Sequence, residues 1–169
     1  MLVNRALSKL TQRFPNMPRI LIADDDELVA ELASEVLIDA GFACGWVTTA
    51  AAAWTCVQKK RPDLLLLDQS MPGESGLTLL RRLRLSARLY DLPVMMFTAM
   101  SGEQDEVQAI YAGAQDFISK PFEPDDLVMR VRRLITLRGD RPRHVDLKSA
   151  VLHDPHRALV AEAGYRRVI

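Results

Sequence analysis

The chain has few of the devices that staple or anchor small proteins. Only two of its 169 residues are cysteine, Cys44 and Cys56, with eleven residues between them and no CxxC or histidine pattern nearby. That spacing argues against a disulfide framework or a zinc motif, so two ordinary buried or half-buried thiols are expected. No apolar run approaches the ~18 residues that a membrane span needs. The opening stretch, MLVNRALSKLTQRF, has charges scattered through it and lacks the uninterrupted apolar core of a secretory signal. A cytoplasmic protein without a membrane partner is expected. There is no internal repeat, and the glycine-rich turn of a dinucleotide-binding fold is missing.

What is present suits a globular domain. Nearly half of the residues (49%) are apolar, enough for a core, and the length fits one domain with short additions. The net charge is zero but unevenly spread. Residues 1–19 hold four bases and no acid, residues 20–120 eight bases and fifteen acids, and residues 121–169 ten bases and seven acids. An acidic module lies between two basic flanks.

Three apolar runs, RILIA, DLLLLD and PVMMFT, read as buried strands, and FACGWV and DFIS as weaker ones. Helical patterns lie between them. Leu28, Val29, Leu32, Ala33, Val36, Leu37 and Ala40 recur at helix spacing, and Gly41 ends the run. AAAAWTCVQKK is alanine-rich. SGLTLLRRLRLSA places Leu79, Leu80 and Leu83 inside and its arginines outside. EQDEVQAIYAG ends in a glycine stop, and EPDDLVMRVRRLITLR carries Leu127, Val128, Val131, Leu134 and Ile135 on one face. Strand and helix alternate five times. This predicts an α/β fold with a doubly wound, five-stranded parallel sheet in the order 2-1-3-4-5, too short for a barrel. Chemistry in such sheets sits beyond the carboxyl ends of the strands.

The first strand runs straight into acids, in RILIADDDE. Clustered carboxylates repel, and burial makes the repulsion worse. Asp26 and Glu27 fit a helix N-cap and first turn, and Asp24 and Asp25 taken alone fit a cap equally well. The other strand ends decide the matter. They deliver Asp68, Thr98 and Lys120 to the same crevice. Three carboxylates suit a hard cation, Mg²⁺ (or Mn²⁺), that keeps waters for a phosphate. Lys120 and Thr98 can hold phosphoryl oxygens, and Asp68 can act as a nucleophile that forms an aspartyl phosphate. A haloacid-dehalogenase-type phosphatase would need a second aspartate where Ser70 stands. A flavin phosphate would be repelled by the acids of the first strand.

ILIADDDE, PDLLLLDQSMPGESG, PVMMFTA and GAQDFISKPF together resemble the response-regulator receiver domain of two-component signalling, over about residues 18–138. The resemblance implies phosphorylation of Asp68 by a sensor histidine kinase. It implies a metal held by Asp25, Asp68 and the Ser70 carbonyl, with Asp24 acting through water. Thr98, Ala99 and Lys120 would bind the phosphoryl group, and Phe117 would be an aromatic switch. A cis bond before Pro121 would aim the lysine. No enzyme is implied beyond self-phosphorylation and autodephosphorylation.

The tail, VDLKSAVLHDPHRALVAEAGYRRVI, resembles the opening β-platform of OmpR/PhoB-type winged-helix output domains. The expected organisation is an extension over 1–18, the receiver over 19–138, a linker over 139–144 and an antiparallel β segment over 145–169. That segment is expected to be a truncated output domain, with DNA binding only if more of it follows Ile169. The alternatives are a dimerising hairpin and a receiver that acts through protein contacts alone. The family's phosphorylation-dependent homodimer pairs the fourth helix, fifth strand and fifth helix through three ion pairs. Here Asp116 and Arg130 supply one, but Glu106 would face Asp126, and Tyr111 would face Arg132. Weak dimerisation by this face is therefore expected. In the N-terminal segment, Val3, Leu7, Leu10 and Phe14 form an apolar stripe apart from Arg5, Lys9 and Arg13, which fits a short docking helix or an unstructured leader.

Overall fold

Runs of consecutive Leu, Ile, Val, Met and Phe have no polar side to turn to water, so they form strands covered on both faces. The computed structural model describes residues 17–99 and 103–139. The strands are β1 (Arg19–Ala23), β2 (Ala43–Val47), β3 (Leu64–Asp68), β4 (Val94–Thr98) and β5 (Asp116–Ser119). Every pairing is parallel, and the order is β2-β1-β3-β4-β5, as the sequence pattern predicts. The expectations placed on residues 1–16 and 140–169, including the docking helix and the C-terminal β segment, lie outside the described residues.

Five helices follow the strands: α1 (Glu27–Asp39), α2 (Ala50–Lys59), α3 (Gly76–Leu85), α4 (Glu103–Tyr111) and α5 (Pro124–Gly139). Short polar side chains start three of them by accepting from orphan amides. Asp26 accepts from Leu28 and Val29, Thr49 from Ala52, and Ser75 from Thr78. Gly41 and Gly113 take φ of +94° and +100° just past α1 and α4, where a side chain would be strained.

Alternate strand residues feed two cores. Ile20, Ile22, Leu64, Leu66, Met95, Phe97 and Ile118 pack under α1 and α5. Leu65, Leu67, Val94 and Met96 pack under α2, α3 and α4. Helices cover both faces of the sheet, and its carboxyl end gathers the buried Asp24, Asp68 and Thr98.

Two of the three arginines of α3, Arg82 and Arg84, depart from the outward placement that the sequence predicts. Arg81 is exposed. Arg82 lies over the Trp54 ring, 4.1 Å from its centroid, and pairs with Glu74 at 3.0 Å. Arg84 turns inward and donates to the carbonyls of Gly113 (2.7 and 2.9 Å), Leu92 (2.9 Å) and Tyr90 (3.0 Å). Helix periodicity sorts apolar from polar residues but does not locate loop carbonyls that need a donor. Burial lowers the pKa of the Arg84 guanidinium, Asp91 opposes that shift, and Arg61 adds to it.

Candidate functional site

The parallel register aligns the site. Ala23 pairs with Leu67, so Asp24 follows β1 at the level of Asp68 on β3. Asp68 is level with Phe97, and Thr98 comes next on β4. Thr98 is level with Ser119, and Lys120 comes next beyond β5. The ends of β1, β3, β4 and β5 thus each bring one functional residue to one rim.

Lys120 joins the rim together. Its Nζ stands 2.5 Å from Asp24 Oδ2 and 3.1 Å from Asp68 Oδ1. Asp24, Asp68 and Thr98 are all buried, whereas Asp25 and Ala99 are exposed. The Lys120 amide donates to the Thr98 carbonyl at 2.8 Å, and its ammonium lies 4.8 Å from the centroid of the Phe97 ring. The Lys120–Pro121 peptide is cis. Phe117 is half-buried against the core under α2–α4.

Backbone amides hold the carboxylates in place. Asp24 Oδ1 accepts from the Asp26 amide at 3.0 Å, and Asp68 Oδ2 from the Ser70 amide at 3.1 Å. The start of α1 directs its positive dipole end at this cluster, which favours anions there. Burial nonetheless pushes the Asp24 carboxyl above its usual 3.8. Lys120 and the Asp26 amide pull it down, and the neighbouring Asp68 charge raises it.

This donor set fits a divalent cation. Carboxylate oxygens of Asp24, Asp25 and Asp68 lie within 4.8 Å of one another. Asp24 Oδ2 touches the ammonium but has no aligned hydrogen bond, so a buried acceptor still has coordinating capacity. Oxygen donors of this kind suit a hard ion.

A family model described as the response regulator receiver domain matches residues 20–132. The chain belongs to the response-regulator receiver family. It is 36% identical over 146 residues to the DNA-binding dual master transcriptional regulator RpaA of Synechocystis sp., covering 86% of this chain and 60% of that protein. It is 35% identical over 145 residues to the phosphate regulon transcriptional regulatory protein PhoB of Pseudomonas aeruginosa, covering 83% and 63%. Both alignments are longer than the receiver segment itself. The chain thus spans about three fifths of the length of these relatives. In structure it is similar to the chemotaxis response regulator CheY4 of Vibrio cholerae, with a TM-score of 0.67 and 25% identity, over 70% of this chain and 99% of that one. Among the described residues of the receiver, no helix is long and apolar enough to cross a membrane.

Of the residues read as a dimer face, Asp116 is buried at the start of β5 and Tyr111 is exposed at the end of α4. Asp126, Arg130 and Arg132 lie on α5, and Arg132 donates to the Ala40 carbonyl at 3.3 Å. The side chain of Glu106 lies outside the described residues.

Sequence reasoning passed over Gly76. A Cβ there would collide with the Asp68 carbonyl, so the first turn of α3 rests directly on the backbone of the site. The available signal was a glycine placed immediately after the Ser75 cap, a costly choice for a helix start unless space demands it. Phe97, whose ring lies beneath the Lys120 ammonium, is not among the site residues that the sequence suggests.

Proposed function

We propose that this chain is the phosphoacceptor part of a two-component response regulator with a transcriptional output. The observation that carries the reading is the Asp68 carboxylate, with one oxygen 3.1 Å from Lys120 Nζ and with Asp24 and Asp25 oxygens inside the same 4.8 Å cluster. A sensor histidine kinase is the donor. An oxygen of Asp68 forms the new P–O bond as the P–N bond of phosphohistidine breaks, and the electron pair leaves on the imidazole, which takes up a proton.

Asp25, Asp68 and the Ser70 carbonyl would hold Mg²⁺ or Mn²⁺, with Asp24 acting through water, and the bound ion would supply positive charge to offset that of the transferred group. Lys120 moves its charge from the two carboxylates to a phosphoryl oxygen, and the Thr98 hydroxyl and the Ala99 backbone take others. Phe117 responds with Thr98. The RpaA and PhoB likeness supports transcription as the output, with DNA contacts made by an output domain that follows the receiver.

Acetyl phosphate or phosphoramidate, with and without Mg²⁺, tests the reading by intact mass. One phosphoryl adduct is expected, lost in Asp68→Asn and in EDTA. An adduct that survives either change sinks the assignment. Lys120→Ala and Thr98→Ala are expected to retain Mg²⁺ binding and to weaken the coupling of phosphorylation to output.

A further inference from the structure

Helix α1 carries an outer face that nothing in the described fold covers. Leu28 is 78% exposed and Leu32 is 54% exposed. Around them Glu27, Glu31, Glu35 and Asp39 recur every fourth residue, all exposed, and the helix contains no base. Like charges at this spacing repel. Glu35 and Asp39 also stand near the carboxyl end, where the helix dipole disfavours an anion. The nearby Arg132 donates to a backbone carbonyl, that of Ala40. This face is apolar at its crest, acidic along its length, and short of cations.

The segment that precedes β1 has the opposite character. Residues 1–14 hold Arg5, Lys9 and Arg13, also every fourth residue, and no acid. Val3, Leu7, Leu10 and Phe14 supply an apolar stripe at helical spacing. The chain enters the fold at the right place, because the Pro18 carbonyl accepts from the Ala43 amide at 2.9 Å, just past the carboxyl end of α1. Pro15 and Pro18 mark a break between the segment and β1. Fourteen helical residues span ~20 Å, about the length of the thirteen-residue α1. A helix laid back along α1 from this entry point would set position 13 beside Asp39, position 9 beside Glu35 and position 5 beside Glu31.

We propose that residues 1–14 dock as a basic amphipathic helix on the acidic, leucine-crested outer face of α1 in the same molecule. Another exposed apolar group, Val107, Ile110 and Tyr111 on α4, lies on the opposite side of the sheet. The docked helix covers Leu28, two residues from the Asp26 cap that also anchors Asp24, so it borders the rim of the site. The inference does not depend on phosphorylation of Asp68.

Amide exchange and cross-linking on the full chain test it. Amides of residues 5–13 are expected to exchange ~10-fold or more slowly than a free chain. Leu28→Ser with Leu32→Ser is expected to abolish that protection, and since both leucines are exposed the fold is retained. Glu31→Lys with Glu35→Lys is expected to do the same, and adding Arg5→Glu with Lys9→Glu to restore it. A zero-length carbodiimide is expected to join Lys9 to Glu31 or Glu35. In a mixture of ¹⁴N and ¹⁵N protein these links are expected within one isotopic species only. Free-chain exchange in the wild type overturns the proposal, as do links between the two species, which would assign the face to a second copy.

Discussion

Asp116 and Arg130 meet inside a single copy of the chain, carboxylate Oδ1 to Nη1 at 3.1 Å. The pair belongs to a larger network. Arg130 Nε chelates Asp126 at 2.9 and 3.0 Å, and Arg133 holds the other Asp116 oxygen at 2.9 Å. Burial alone would lower the Arg130 pKa, but its bonds and proximity to Asp126 and Asp116 outweigh that and raise it. The same residues grip Phe117. Asp116 Oδ1 accepts from its amide at 2.9 Å, and Arg130 donates to its carbonyl at 3.2 Å.

A dimer built on Asp116 and Arg130 must first open this network, so phosphorylated protein is expected to associate weakly through α4, β5 and α5. Sedimentation velocity with a beryllofluoride mimic measures it. Glu106→Lys is expected to tighten the dimer only modestly, because Asp126 is already engaged by Arg130. A tight wild-type dimer abolished by Arg130→Ala would refute the expectation. In the monomer, Arg130→Ala strips the buried Asp116 of one donor and is expected to cost about 1–3 kcal/mol in urea unfolding.

The fold and the rim of the site were legible in the sequence for one reason. Buried parallel strands leave a strong apolar signature, and the residue at each strand's carboxyl end is fixed by where the run stops. Asp68 after LLLL and Thr98 after VMMF needed no further information. What the sequence did not reveal depends on contacts across long separations. Arg84 bonds a carbonyl twenty-nine residues away, and Gly76 yields space to Asp68 across a turn. The Asp116–Arg130 pairing was legible as a pair, but the sequence does not tell whether such a pair forms within one chain or between two.

Asp24 gives the site a pH signature. Its folded pKa is raised above 3.8, chiefly by burial, so the folded state holds this proton more tightly than the unfolded chain does. Stability from this group is therefore present below pH ~3.8 and is lost as pH climbs from there through the folded pKa. Asp24→Asn removes that loss. Urea unfolding in EDTA across a pH series is expected to show the variant gaining on wild type as pH rises through this window and staying ahead at neutral pH. Divalent cation is expected to stabilise wild type and to stabilise Asp24→Asn less. A variant less stable than wild type at neutral pH in EDTA would mean that the Lys120 ion pair outweighs desolvation.

Gly76 links the packing of α3 to the chemistry of Asp68. Its amide donates to the Gln69 carbonyl at 3.0 Å, and its Cα faces the Asp68 carbonyl with no room for a methyl group. The helix cannot easily retreat, because Leu77, Leu79, Leu80 and Leu83 are buried in the core beneath it. In an unstrained helix, alanine would gain ~1 kcal/mol over glycine. Here the clash with backbone reverses the sign, and Gly76→Ala is expected to destabilise by ~1–3 kcal/mol. The end of β3 is expected to shift, carrying the Asp68 carboxylate away from Lys120. A displacement approaching 1 Å would slow phosphorylation by up to ~100-fold. Arg81→Ala, on the exposed side of the same helix, is the control and is expected to change neither quantity. Thermal unfolding and the rate of acetyl-phosphate labelling by intact mass read both effects, and a Gly76→Ala protein matching wild type in both would show that the turn yields without disturbing the site.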